Sequence, residues 1–159
     1  MIVVADSSPL HYLILIGQTE VLPVLFNRVV IPDAVRSELT DRLAPVSVDR
    51  WIRNPPQWLE IRVASSEFPD ALMSLDKGER EAISLAQEMR ADYLLADDLR
   101  ARIEAERQQL VVIGTIGILQ RAAASGLLDF DRAFRELAQT NFRMSPAFRK
   151  SIIDRSKKR

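Results

Sequence analysis

Not one of the 159 residues is a cysteine, which excludes disulfide scaffolds, Cys-ligated zinc, iron–sulfur clusters and thiol nucleophiles and makes the cytoplasm the expected compartment. Histidine is almost as scarce. The single His11 cannot build a multi-His metal cage, an HExxH protease or a His-relay hydrolase. No stretch approaches the roughly 18–20 uninterrupted apolar residues of a membrane span. The opening MIVVADSSPL lacks the basic start of a signal peptide, so no membrane partner is expected. Net charge is absent too: 22 basic residues balance 22 acidic ones, and bulk charge does not advertise nucleic acid.

That balance conceals an asymmetry. Residues 142–159 hold seven Lys and Arg against Asp154 alone, a net +6, which leaves −6 on residues 1–141. The chain therefore reads as one domain over 1–141 followed by a basic C-terminal tail or helix over 142–159, an acidic body with a separate electrostatic handle.

What is present is alternation. Residues 2–5, 28–31, 58–63, 93–96 and 110–113 are apolar runs with strand character. Helix signals stand between them: 10–16 closing at Gly17, 19–26 opened by Thr19, a helix after Pro32 with Val35, Leu39 and Leu43 at i, i+4 spacing, 79–90 after Asp76-Lys77-Gly78, 99–108, 115–124, and one from about 131. Residues 64–74 read as loop, and Trp58 to Val63 alternate polar and apolar like an edge strand. This order predicts a single α/β three-layer domain with a mostly parallel central sheet flanked by helices. In such sheets the ligand cleft lies beyond the carboxyl ends of the strands.

Acids stand where that cleft would open. Asp6 follows the first strand, and Asp97 and Asp98 follow a later one, while Glu38 and Glu79 lie at the edges of inward-facing helical stripes. Carboxylates gathered in one cleft repel one another unless a divalent cation neutralises them. An all-oxygen donor set selects hard ions such as Mg²⁺ or Mn²⁺, whose usual chemistry is phosphoryl transfer by activated water. Each acid also has a purely structural reading. Asp6 and either Asp97 or Asp98 suit helix N-caps, Asp76 and Glu79 have the spacing of a capping box, Thr115 suits an N-cap, and Glu38 suits a surface helix. His11, Trp51 and Trp58 read as packing residues.

Four segments taken in order, VVADSSPLHYLILI, VVIPDAVRSEL, LDKGEREAISLAQEMRADYLLADDLRAR and VVIGTIGILQRAAASGLL, resemble the PIN domain, in its toxin-like subgroup with an LDxGE helix start. The resemblance spans about residues 1–128. It implies a metal-dependent ribonuclease using Mg²⁺ or Mn²⁺, acting on RNA as the toxin half of a toxin–antitoxin pair, with an antitoxin protein as partner and a homodimer as the assembly. By position, the family's four acids fall on Asp6, Glu38, Glu79 and Asp97, with Asp98 sharing or replacing the last. Asp6, Glu79, Asp97 and Asp98 would hold metal, and Glu38 would complete the site or orient the attacking water. Ser7 falls where the family has a hydroxyl near the metal, and Arg100, Arg102 and the basic tail would meet substrate phosphates.

The sequence departs from the family's pattern at Ala96, where many relatives carry Thr or Ser, and within 112–116, which lacks an extra acid. Asp76 competes with Glu79 for the third position. Two readings of other classes stand beside the nuclease: a PIN-fold module that binds RNA or an antitoxin without turnover, and an aspartyl phosphoacceptor domain. The second lacks the D-x-D pair it would need after the first strand.

Overall fold

The structure, a computed structural model, describes residues 1–65 and 67–157, without the side chains of Ser156 and Lys157. Ser66 of the predicted loop and the tail charges Lys158 and Arg159 lie outside the described residues.

The first apolar run forms β1 (Ile2–Ala5). Val3 and Ala5 are buried on one face of it and Val4 on the other, as a strand must be at the centre of a sheet covered on both sides. It is joined by β2 (Arg28–Pro32), β3 (Leu59–Arg62), β4 (Tyr93–Leu95) and β5 (Val112–Ile113). The strand order is β3-β2-β1-β4-β5, and every pairing is parallel, so the sheet is parallel throughout rather than mostly so. Nine helices occur among the described residues: α1 (Ser7–Leu15), α2 (Val21–Leu25), α3 (Asp33–Leu39), α4 (Val46–Arg53), α5 (Lys77–Glu88), α6 (Leu99–Arg107), α7 (Thr115–Ala124), α8 (Phe130–Ala138) and α9 (Pro146–Lys157). One face of the sheet packs against α5 and α6 through Ile83, Ala86 and Ala105. The other packs against the remaining helices through side chains such as Leu13, Val35, Ile118 and Leu137. The predicted three-layer α/β architecture is the observed one.

Several local expectations are corrected. The first helix starts at Ser7, three residues early, because Asp6 caps it and Pro9 sits in the first turn, where no N–H is needed. The second is shorter than 19–26, and Thr19 is not its cap; Thr19 offers its carbonyl to the Leu22 N–H at 3.0 Å. The third stops at Leu39, and Leu43, expected on its buried stripe, is 92% exposed. There the Asp41 carboxylate accepts the Leu43 N–H at 3.1 Å and turns the chain away. Helix α4 is unanticipated, although Val48 and Ile52, both buried, have i, i+4 spacing. Charged neighbours masked the pair. At the sheet edge Leu59 is buried, whereas Ile61 and Val63, expected to be covered with it, are exposed. The predicted loop contains a short 3₁₀ turn at Asp70–Leu72, and Trp51 and Trp58 pack together with ring centroids 5.9 Å apart.

Candidate active site

Strands β1 and β4 are neighbours, and the chain moves outward from them in opposite directions, to β2 and β3 on one side and to β5 on the other. This is the switch point of an open parallel sheet, where the following helices diverge and leave a crevice beyond the strand ends. Asp6 lies just past β1, and its N–H donates to the Leu95 carbonyl of β4 at 2.9 Å. Asp97 lies two residues past β4. Both acids thus stand at the mouth of one crevice.

Asp6 is only 5% exposed. Its Oδ1 accepts the Ser7 N–H at 2.8 Å, the local reason for the helix start, so the capping role is real. Burial nonetheless pushes its carboxyl up to about 7, against the pull of the Ser7 N–H, and repulsion from Glu38, Glu79 and Asp97 adds to the rise. The electrostatic neighbours of this buried acid are themselves acids, and they are the other three expected from sequence.

Glu38 reaches the crevice from α3 by crossing onto the first turn of α5. Its carboxylate lies directly against Gly78, where a Cβ would collide with Glu38 Oε1, so the absent side chain leaves room for this placement of Glu38 and is not demanded by backbone conformation. One residue on, Glu79 accepts the Asp76 N–H at 3.1 Å, the capping box anticipated from spacing. Burial raises the Glu79 carboxyl to about 7, with the Asp76 N–H opposing and the nearby Asp98 and Asp76 carboxyls adding to the rise. Glu79, not Asp76, acts on Asp6.

Asp97 and Asp98 divide their work. Asp98 caps α6, accepting the Ala101 N–H at 3.1 Å. Asp97 points across to α1 and α7: Oδ1 accepts the Thr115 N–H at 2.7 Å, and Oδ2 accepts the Thr115 hydroxyl at 2.6 Å and the Ser8 hydroxyl at 2.7 Å. Thr115 is therefore no N-cap. Gly114 occupies that position, and the fully buried Thr115 anchors Asp97. Ser7 was expected to present its hydroxyl here, but the hydroxyl that reaches an acid belongs to Ser8. The signal for both was an acid at a strand end with hydroxyls at neighbouring helix starts, which sequence cannot pair across 89 and 18 residues.

The two arginines separate as well. Arg100 Nη2 donates to the Ser74 carbonyl at 3.4 Å. Arg102 stands beside Asp97, since a Cβ on Gly114 would lie 3.0 Å from Asp97 Oδ1 and 3.2 Å from Arg102 Nη1. His11 packs edge-on against Tyr12, ring centroids 4.8 Å apart, and burial lowers its pKa.

Glu38, Glu79 and Asp97 thus lie within electrostatic reach of Asp6, and Asp98 within reach of Glu79. Asp6 and Glu79 carry raised pKa values chiefly through burial, with repulsion from neighbouring acids adding to it, and the donors are all oxygen, which fits a hard divalent ion. Among the described residues no group of three or more acidic or imidazole side chains stands close enough together to hold a metal ion as placed, so the acids are neighbours in an open arrangement.

The fold has a known counterpart in the structure of a PilT N-terminus domain protein from the hyperthermophilic archaeon Sulfolobus solfataricus P2, at a TM-score of 0.50 and 16% identity, covering 91% of this chain and 100% of that one. At that identity the likeness speaks for the fold alone. No curated protein sequence matches the chain. PIN domains are generally nucleases and usually use divalent metals. Residues 2–158 match the family described as PIN domain (DUF3368), and with nearly the whole length matched the chain belongs to the PIN domain family.

Proposed function

We propose that this protein is a metal-dependent endoribonuclease that hydrolyses RNA phosphodiesters. The observation that carries the reading is the buried Asp6 at the sheet's switch point with Glu38, Glu79 and Asp97 as its charged neighbours, where burial first and their repulsion second raise its carboxyl to about 7. In this reading Asp6, Glu79 and Asp97 hold Mg²⁺ or Mn²⁺, with Asp98 sharing the last position. Such an ion, when bound, neutralises the acids, lowers the pKa of water and offsets charge on the phosphate.

The protein's own groups do the rest. The Ser8 and Thr115 hydroxyls fix the rotamer of Asp97, and Gly78 gives Glu38 the room to reach the crevice. The Glu38 carboxylate orients the attacking water and accepts its proton. As the water oxygen bonds to phosphorus, the P–O bond opposite it breaks and the leaving oxygen takes up a proton. Arg102, beside Asp97, faces the phosphate.

The resemblance to the toxin-like subgroup extends the proposal: a cytoplasmic toxin restrained by an antitoxin protein and working as a homodimer. Leu99 and Ile103, exposed at i, i+4 on α6 with Val111 also exposed, support a self-association face. A second reading, a PIN-fold module that binds RNA or antitoxin without turnover, draws on the open arrangement of the acids.

One experiment decides between them. The purified protein is incubated with structured and single-stranded RNAs in Mn²⁺, Mg²⁺ or EDTA, beside an Asp97→Asn/Asp98→Asn variant. Cutting that needs metal and disappears in the variant is expected; equal cutting by both, or none by either, sinks the ribonuclease and leaves the binding module.

A further inference from the structure

Resting on the ribonuclease reading, we propose that the cleft of about 1000 Å³ on the β5 side of the acids is a groove for single-stranded RNA, with arginines gripping phosphates and Phe148 of α9 stacking on a base. The cleft begins at Ser8, Asp97 and Asp98, so it is continuous with the candidate active site. Arg102 of α6, Arg121 of α7, Arg143 before α9 and Arg155 within α9 line it. Arg121 is held over the Tyr93 ring at 4.9 Å. Among the described residues Arg102, Arg143 and Arg155 have no ion-pair partner. Guanidinium groups that reach one cleft without ion-pair partners suit the oxygens of a phosphate backbone.

The opposite exit is closed to a polyanion. The cavity of about 490 Å³ on the Glu38 side is lined by Asp33, Glu38, Asp41 and Glu81, with Lys77 the one base among the described lining residues. A strand leaving the acids therefore runs toward β5.

Helix α9 gives the groove its base-binding wall. Phe148, Ile152 and Arg155 fall at i, i+4 and i+7, one stripe of the helix, and all three line the cleft. Ile152 is 3% exposed and anchors the helix in the core, while Phe148 is 46% exposed and free to meet a ring. Beneath them Tyr12 is fixed against Phe142, ring centroids 4.9 Å apart, and its hydroxyl donates to Asn141 at 3.0 Å. Stacking on an aromatic side chain needs an unstacked base, so a single strand fits and a duplex does not.

The test uses the full chain in EDTA and a labelled single-stranded oligoribonucleotide, with binding followed by anisotropy over a range of salt. Arg143→Ala/Arg155→Ala is expected to lower the slope of log affinity against log salt by about 1.4, roughly 0.7 per lost contact. Arg42→Ala/Arg50→Ala removes the same charge from exposed residues outside the cleft and the basic tail and leaves the slope unchanged. Phe148→Ala weakens binding about 5- to 150-fold with no change of slope. Equal effects of the two charge pairs, or affinity indifferent to Phe148, overturn the groove. If the arginine variant still cuts RNA in Mn²⁺ and binds it as the parent does, the groove falls and the ribonuclease stands. If RNA binds through these residues but is never cut, the groove stands and the ribonuclease falls.

Discussion

Asp6 caps α1 and lines the crevice with one carboxylate, and the two tasks make opposite demands on it. Capping is served equally well by a neutral amide; gathering cations is not. Replacing Asp6 by Asn is therefore expected to abolish cleavage and, in EDTA at pH 8, to raise thermal stability, because a buried charge repelled by three acids is removed. The pH dependence follows with a definite sign. Since the folded carboxyl sits at about 7 against 3.8 unfolded, its contribution to stability is fully present below about pH 4 and lost as pH rises through 7. At about 1.4 kcal/mol per pKa unit, it is worth a few kcal/mol at most. Melting curves of parent and variant in EDTA at pH 5 and pH 8 check this: the gap should favour Asn at pH 8 and narrow at pH 5. Gly78→Ala makes a complementary case. The added methyl meets the end of an exposed, flexible Glu38 side chain, and Ala suits a helix better than Gly by about 0.5–1 kcal/mol. Activity is expected to fall at least about tenfold, equivalent to about 1.4 kcal/mol of barrier, while the melting temperature holds or rises. A loss of both would sink the idea that Gly78 serves Glu38.

The helix starts carry the site at the scale of elements. Asp6, Asp76 and Asp98 each open a helix by conventional capping, and these positions were legible because cap chemistry is local. What α7 does was not. Thr115 joins the start of α7 to the end of β4 through two hydrogen bonds to Asp97, a pairing between segments that no periodicity reports. Thr115→Val keeps the shape and removes the hydroxyl donor; the expected cost is about 1–2 kcal/mol of stability, read by urea denaturation, together with lower activity from an Asp97 less firmly held. Stability lost with activity intact would make Thr115 purely structural. Helix α4 escaped notice for a related reason: its inward side chains are few, and their burial depends on α1 and α3 packing over them.

For the whole molecule, crowded acids and a divalent ion are linked through stability. A ligand bound to the folded chain at about 100 times its Kd adds about 2.7 kcal/mol, which for a chain of this size is roughly 5–10 °C in Tm. Addition of Mn²⁺ at pH 8 is expected to raise the melting temperature of the parent by that order, EDTA to reverse it, and Asp6→Asn to abolish it. A Tm indifferent to Mn²⁺ would remove metal from the proposal.

Sequence by itself determined the alternation of strands and helices, and with it the three layers, because apolar runs and cap residues act over a few positions. It also determined which acids stand at strand ends and helix starts. Only the tertiary structure decided that Glu38, Glu79 and Asp97 come within electrostatic reach of Asp6, that Ser8 rather than Ser7 reaches Asp97, and that Arg102 rather than Arg100 stands beside it. Strand order, set by which apolar faces pack best across the whole chain, brings residues 6 and 97 side by side. Rotamers and the crossing of α3 onto α5 then settle which neighbouring side chain points inward, a matter of long-range packing that residues adjacent in sequence cannot specify.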